Sequence, residues 1–407
     1  MKKERLWTRD FTLAVLSGVF ASTIIYTLLT TMALYSMGRY GAGEGLAGFV
    51  ASIAMVGGVM GRLFSGVYAD RIGRRRVAVT ASILGVVICA LYFFPVGVVP
   101  FLAIRFFHGV MGSCVHNTMA TAVIDFIPPA RRAEGIGLYS LSYVIAMALG
   151  PWLAMFIVAH SSYTALWFVN IAFAIASMAF LLAVRFAPTA FTKEQEAKLR
   201  KKTGVAGVLE KSAMPLALTI LLLSLCYTAV GAFIETYAKQ VGSAWVATVF
   251  FLIYSLFILV LRPMAGRLID RHGENFVMVP SFIIYMACLA AMGLAGMLSA
   301  AYAAVLLIAA AVLMAFGYGL ILPFGQAIAI KYAEPFSFSK ITSTYFSFSE
   351  VGMGIGAFIF GLIAAGIGFS NMYFVAILFV LTGFFLYWLL HGRSHRPPAE
   401  RRGDGGV

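Results

Sequence analysis

Twelve long apolar stretches follow one another between residues 11 and 391 of this chain. Each holds about 20 mostly apolar residues, the length that a helix needs to cross the hydrocarbon core of a bilayer. Hydrophobic residues make up 61% of the 407 residues and charged residues only 11%, which is far too apolar for a soluble globule. The sequence therefore predicts an all-α integral membrane protein with twelve transmembrane helices.

The chain also carries an internal repeat with a period of 200 residues, and each copy ends an apolar stretch and begins a short basic loop. The paired positions are Arg62 and Arg262, Gly66 and Gly266, Asp70 and Asp270, Arg71 and Arg271, and Gly73 and Gly273. Paired halves of this kind are a common plan for transporters. We therefore expect two pseudo-symmetric six-helix bundles that move a solute across a membrane.

The distribution of polar and basic residues predicts the domains and their orientation. We expect an N-terminal bundle over 1–191, a cytoplasmic linker over 192–212, a C-terminal bundle over 213–392 and a cytoplasmic tail over 393–407. Lys and Arg concentrate at the termini, in the linker and in the repeated loops, and cytoplasmic loops retain basic residues. The pattern predicts a multi-pass protein of the cell membrane with both termini in the cytoplasm.

Several classes of function are disfavoured by the sequence. The net charge of +14 does not indicate nucleic-acid binding, because the charges lie in short loops beside anionic lipid headgroups. The sequence has no G-x-x-x-x-G-K-S/T phosphate loop and no cluster of nucleophiles or metal ligands at a membrane face. We therefore expect no enzyme, cofactor or metal. The expected partners are a small-molecule substrate, protons and membrane lipid, and the chain is expected to work as a monomer.

Two of the sixteen acidic residues fall inside predicted spans. Glu350 lies about nine residues into the eleventh span, near the bilayer midplane at about 1.5 Å per residue. An ionisable group at that depth is functional by default, so we predict that Glu350 couples proton movement to transport, with a structural hydrogen bond as the alternative. Glu235, one turn before Lys239, is either a gate or second proton site, or one partner of a simple ion pair.

The fourth span carries a polar stripe of Arg105, His108, Gly112 and His116, which lie within a sector of about 80° on a helix. A buried Arg stays charged and His titrates near neutral pH. The stripe therefore indicates either a site that binds anionic groups or a proton relay. We assign Arg105 and His116 to proton coupling and His108 to the substrate cavity, with interhelical hydrogen bonding as the alternative.

Polar residues on other spans complete a predicted substrate cavity. Tyr26 and Thr30 share one face of the first span, although membrane helices also bury hydroxyl groups for packing. Ser347 of the eleventh span and Gln326 of the tenth are assigned to the same cavity. The many Met and aromatic residues favour a cavity that tolerates amphipathic compounds, or simply pack the core.

The run from Gly66 to Arg76 resembles the G-x-x-x-D-R-x-G-R-R signature of the major facilitator superfamily, between its second and third helices. In that family the loop Asp caps the start of the eleventh helix, and the Arg residues form a charge network that locks the inward-closed state. The resemblance implies a conformational lock built from Gly66, Asp70, Arg71, Gly73 and Arg74, joined by Asp270 and Arg271 of the second copy. That copy lacks the trailing basic run, so its lock is expected to be weaker.

Two further motifs resemble those of the same family. Arg105 with Gly109 and Gly112 is similar to its fourth-helix motif, whose Arg is linked to proton transfer. Gly150 and Pro151 match the G-x-x-x-G-P motif of drug/proton antiporters, although alanines replace other glycines of that motif. Pro151 is expected to permit a bend.

The resemblance implies the major facilitator fold and a secondary active transporter. Such a protein would export small amphipathic or drug-like molecules in exchange for protons by alternating access. The alternative is a proton-coupled carrier, in either direction, dedicated to one metabolite such as a sugar or a metal-chelating natural product. A third interpretation is a transport-inactive receptor or scaffold.

Overall fold

The computed structural model describes residues 5–94, 97–186, 209–331 and 337–392. Most of the predicted linker and the whole predicted tail lie outside these residues, and so do the side chains of Asp70 and Arg71. The described residues form helices joined by short connections, with no β-strand among them. The prediction of an all-α fold is confirmed.

Six α-helices occupy the described residues of the N-terminal half. They are α1 (Arg9–Tyr40), α2 (Glu44–Ile72), α3 (Arg74–Leu91), α4 (Val98–Ala122), α5 (Arg132–His160) and α6 (Tyr163–Ala183). The local sequence determines where α1 begins and ends. The Thr8 hydroxyl accepts a hydrogen bond from the Phe11 amide at the start of α1, and Gly41 ends α1 in a left-handed conformation with φ of 61°.

Seven α-helices occupy the described residues of the C-terminal half. They are α7 (Met214–Gln240), α8 (Trp245–His272), α9 (Asn275–Ala295), α10 (Ala300–Phe316), α11 (Tyr318–Lys331), α12 (Phe338–Ile367) and α13 (Phe369–Tyr387). Gly273, with φ of 88°, joins α8 to α9 as Gly73, with φ of 99°, joins α2 to α3. The repeated glycines therefore make equivalent turns.

Eleven helical stretches of the described residues are long and apolar enough to cross a membrane. The predicted third span is also helical, as α3, but its first turn contains Arg74, Arg75 and Arg76. These charges shorten its apolar part. It ends at Leu91, and Tyr92 and Phe93 form a turn after it.

The predicted tenth span is two helices rather than one. The chain leaves helical geometry at Gly317, with φ of −83° and ψ of −102°. A Cβ atom on Gly317 would lie 2.7 Å from the Cβ of Tyr285, so the glycine lets α9 pack directly on the break. The amides of Leu320 and Ile321 both donate to the Gly317 carbonyl. The break thus keeps backbone hydrogen bonds, as a break at membrane depth requires.

Helices α2 and α4 pack with their backbones in contact. A Cβ atom on Gly109 would overlap the carbonyl group of Ala54, and one on Gly57 would overlap that of Phe106. Small residues allow this approach between membrane helices, where packing replaces the hydrophobic effect as the driving force. The close approach places the polar side chains of α4 within reach of α2.

The Cα trace divides into two compact units. The first unit consists of Met1–Pro129, Tyr139–Glu210 and Ala333–Ser347, and the second of Ala130–Leu138, Lys211–Tyr332 and Phe348–Val407. The start of α5 therefore belongs to the second unit, and the start of α12 to the first. The bundle boundaries drawn from the sequence, 1–191 and 213–392, stay predictions.

We expect Gly109→Ala to destabilise the protein, because a methyl group at this position must push α2 away from α4. The cost should be about 1–3 kcal/mol, as for other overpacked contacts. Thermal unfolding in detergent measures it, and Gly85→Ala is the matched control because a Cβ there meets nothing within 4 Å. Equal apparent Tm values for the two variants would contradict the backbone contact.

Candidate functional site

In the first unit, α2 and α4 bring a guanidinium group against an imidazole ring. Arg62 Nη1 lies 3.1 Å from His116 Nδ1, and both side chains are buried. A guanidinium group only donates hydrogen bonds, so Nδ1 must accept. This pairing fixes His116 as the neutral tautomer that carries its proton on Nε2.

Helices α5 and α12 complete the surroundings of this pair. The ring of Tyr143 meets that of His116 edge-on, with centroids 4.3 Å apart. The Arg62 guanidinium carbon lies 5.1 Å from the centre of the Phe346 ring, a cation–π distance. Ser343 Oγ donates to the Arg62 carbonyl at 2.6 Å. Four helices therefore converge on one buried cation.

Gly66 of the repeated signature lies where the start of α12 meets α2. A Cβ atom on Gly66 would lie 2.5 Å from the Cβ of Ser343, so a larger residue would force the two helices apart. Asp70 and Arg71 lie at the end of α2, and their predicted roles in a lock stay predictions. Arg74 is described: its Nη1 lies 2.6 Å from Asp125 Oδ2, in a mostly buried ion pair.

The second copy of the signature holds the start of α5 in the second unit. The two carboxylate oxygens of Asp270 accept hydrogen bonds from the amides of Ala133 and Glu134, each at 3.0 Å. A carboxylate at a helix N-terminus satisfies free amides and favours the helix dipole. Buried Glu134 in turn lies 2.6 Å from Arg267 and 2.8 Å from Arg131. The missing basic run therefore does not leave this copy without ion pairs. Arg271 lies in the last turn of α8.

The predicted stripe on α4 is divided among several neighbours. Arg105 donates from Nε to the carbonyl of Val50 at 3.1 Å and from Nη2 to that of Ala51 at 2.8 Å. His108 Nδ1 lies 3.1 Å from the hydroxyl of Tyr92, the residue that follows α3. These contacts favour the hydrogen-bonding alternative for Arg105 and His108. The proton-coupling roles of Arg105 and His116 stay predictions.

A polar network lies around the helix break in the second unit. Ser224 Oγ of α7 lies 3.0 Å from the hydroxyl of Tyr318, which begins α11, and 2.9 Å from Ser349 Oγ of α12. Tyr318 stacks on Tyr227, with ring centroids 4.5 Å apart. Glu350 follows Ser349 directly and is half-buried. Glu350, the predicted coupling residue, is therefore next in sequence to a member of this hydroxyl network.

The glycines of the antiporter-type motif and its counterpart make equivalent contacts. A Cβ atom on Gly150 would lie 2.6 Å from the Cβ of Tyr26, so α5 approaches α1 closely. A Cβ atom on Gly356 would lie 2.7 Å from the carbonyl oxygen of Leu225, so α12 approaches α7 in the same way. Pro151 lies inside α5, which continues through it.

The remaining predicted residues have separate surroundings. The Thr30 hydroxyl donates to the carbonyl of Tyr26 within α1, and Ser347 and Gln326 are buried. Glu235 lies 2.7 Å from Lys239, and both side chains are more than half exposed. This contact favours the simple ion pair for Glu235, and its role in proton movement stays a prediction.

Comparison with known proteins decides the family. The sequence model of the protein family described as Major Facilitator Superfamily matches residues 14–309 and 216–406 of the chain. The chain belongs to the major facilitator superfamily. It is therefore a multi-pass membrane transporter.

Relatives and a solved structure agree with this membership. The multidrug resistance protein MdtG of Dickeya zeae is 24% identical over 409 residues, covering 96% of each chain. A Na(+), Li(+), K(+)/H(+) antiporter of Planococcus maritimus is 27% identical over 150 residues, which span 36% of this chain and 35% of the antiporter. The proton:xylose symporter XylE superposes with a TM-score of 0.74 at 13% identity, covering 94% of this chain and 95% of XylE. That likeness confirms the major facilitator fold.

Several residues that take part in the contacts described above are not predicted as functional from the sequence. Arg62 enters the sequence-based prediction only as part of the repeat, although a charged residue inside a span is itself a functional signal. Tyr143 and Phe346 gave no signal, because aromatic residues are frequent throughout the spans. Ser224 and Tyr318 became recognisable only through the helix break that brings them together.

We expect Asp270→Ala to lower the stability of this transporter by about 0.5–2 kcal/mol, the usual cost of removing a helix cap. Asp270→Asn keeps one side-chain oxygen that accepts from the α5 amides, so it should lose less. The apparent Tm in detergent measures both losses. Wild-type stability of Asp270→Ala would show that the cap contributes nothing.

Proposed function

We propose that this transporter is a secondary active exporter that exchanges protons for small amphipathic molecules by alternating access. The carboxyl group of Glu350 within α12 is the observation that carries the proposal. An ionisable side chain in a membrane helix is costly and marks an ion or proton pathway. Glu350 would bind a proton from outside and release it to the cytoplasm, and each step would bias the conformational equilibrium.

The packing of α12 supports a coupling role for Glu350. A Cβ atom on Gly352 would overlap the carbonyl of Leu221, so α12 rests directly on α7 immediately after Glu350. Ser349, the residue before it, shares a hydrogen bond with Ser224 of α7. A change in the charge of Glu350 would therefore act at a tightly packed contact. A small movement of α12 there would have to move α7 as well, because close-packed interiors transmit strain.

The names of two relatives support the proposed direction of transport and the proposed exchange with protons. MdtG is called a multidrug resistance protein, which agrees with export of several compounds. The Planococcus maritimus relative is called an antiporter that exchanges metal cations for H(+). We extend to this chain only the exchange with protons, because its match with the antiporter is short.

The helix-start contacts are proposed to act as the conformational lock. Asp270 and Glu134 hold the start of α5, and Ser343 holds the start of α12 against α2. We propose that Asp70 and Arg71 reinforce the second of these contacts. The repeated loops and both termini are assigned to the cytoplasmic side of the cell membrane from the excess of Lys and Arg there.

Substrate-dependent proton movement in proteoliposomes tests the proposal. Liposomes that contain a trapped pH-sensitive dye are given cationic, neutral and anionic amphipathic compounds and, separately, a sugar. We expect amphipathic compounds to cause proton movement in liposomes that contain the wild type. They should cause none with Glu350→Gln, because the amide cannot carry the proton. Asp10→Asn is the matched control: its amide can still accept the hydrogen bond from the Arg185 backbone, so it should behave as wild type.

Two outcomes would overturn parts of this function. Undiminished proton movement by folded Glu350→Gln would remove Glu350 from the coupling mechanism. A response to the sugar alone would replace the polyspecific exporter with a carrier dedicated to one metabolite.

A further inference from the structure

We propose that Arg62, His116, Tyr143 and Ser347 of the first unit form a binding site for an acidic group of the transported substrate. The substrate class is then small organic anions, such as carboxylates or phosphonates, with an apolar body. The inference rests on the proposed function only in taking the bound anion to be the transported molecule.

The first evidence is a set of polar atoms that find no partner in the described part of the chain. His116 Nε2, the Tyr143 hydroxyl and Ser347 Oγ are all buried, and none has a hydrogen-bond partner among the described residues. His116 and Ser347 retain only 7% and 3% of their exposure. Buried polar atoms without partners are rare because their desolvation is not repaid.

The second evidence is that all of these atoms are able to donate. The Arg62 contact at 3.1 Å takes the lone pair of His116 Nδ1, so Nε2 carries a hydrogen. Hydroxyl groups such as those of Tyr143 and Ser347 also donate. A site rich in donors selects a ligand rich in acceptors, and an acidic group supplies several acceptor oxygens in a small volume.

The helices that build the site contribute a cation and little negative charge. Arg62 remains charged at every physiological pH. Helix α4 contains no acidic residue. The other three helices contain Glu44 and Asp70 near the ends of α2, Glu134 near the start of α5, and Glu350 in the interior of α12. A cation surrounded by hydrogen-bond donors favours a negatively charged ligand.

The aromatic groups of the site indicate the body of the ligand. Phe346 faces the Arg62 guanidinium, and Tyr143 meets His116 edge-on. Aromatic rings beside a cation pack well against flat apolar groups. We therefore choose benzoate as the probe, with benzamide and benzamidine as neutral and cationic analogues of the same shape.

Calorimetric titration of the full-length protein in detergent near neutral pH tests the site. We expect benzoate to bind the wild type at least roughly tenfold more tightly than benzamide or benzamidine, since hydrogen bonds to a charged group are the stronger ones. Arg62→Gln should abolish that preference. Equal binding of benzoate and benzamide by the wild type, or no binding of benzoate, would overturn the inference.

Milder variants keep the test valid if Arg62→Gln fails to fold. Tyr143→Phe and Ser347→Ala each remove one hydroxyl group and should weaken benzoate binding by roughly tenfold. Tyr373→Phe is the matched control, because it removes a buried hydroxyl that has no partner among the described residues and lies in the second unit. Unchanged benzoate affinity in both hydroxyl variants, or equal loss in Tyr373→Phe, would also overturn the inference.

The binding test and the transport test fail independently. Benzoate titration uses no proton gradient, so it reports on the anion site alone. Selective benzoate binding together with undiminished proton movement by Glu350→Gln would keep the site and refute the coupling mechanism. Loss of proton movement in Glu350→Gln without selective benzoate binding would do the reverse.

Discussion

The backbone contact between α2 and α4 determines which polar groups of the first unit can meet. Because Gly109 leaves no side-chain layer between the helices, hydrogen bonds cross from one to the other along their length. Arg62 reaches His116, and Asn117 Nδ2 donates to Ser65 Oγ at 3.0 Å. Inside a bilayer no water can replace such partners. The glycine contact is therefore a condition for burying these charges and amides at all.

The two copies of the repeat use one geometry with different chemistry. Gly73 and Gly273 make the same turn with positive φ, and Gly66 and Gly266 each admit a helix from the other half of the sequence. Beyond these glycines the copies diverge. The basic run of the first copy includes Arg74, which pairs with Asp125, whereas the second relies on Asp270 as a helix cap. Duplication thus preserved backbone shape more closely than charge.

Helix positions could be predicted from the sequence because bilayer thickness fixes the length of an apolar run. The break at Gly317 could not, since a glycine within an apolar run is common and only the packing of Tyr285 makes it necessary. The partners of the α4 stripe were also beyond the sequence. Periodicity shows that Arg105 and His116 share a face of one helix, but neighbouring helices decide that Arg105 meets carbonyl groups and His116 meets Arg62.

The partners of Arg105 have a genetic consequence. Its guanidinium group bonds the main-chain oxygens of Val50 and Ala51, and every residue type supplies such an oxygen. A substitution at either position keeps the accepting atom, so we expect this contact to produce no pairwise covariation between position 105 and positions 50 and 51. Selection can act on this bond only through position 105 and through the glycines that keep α2 within its reach.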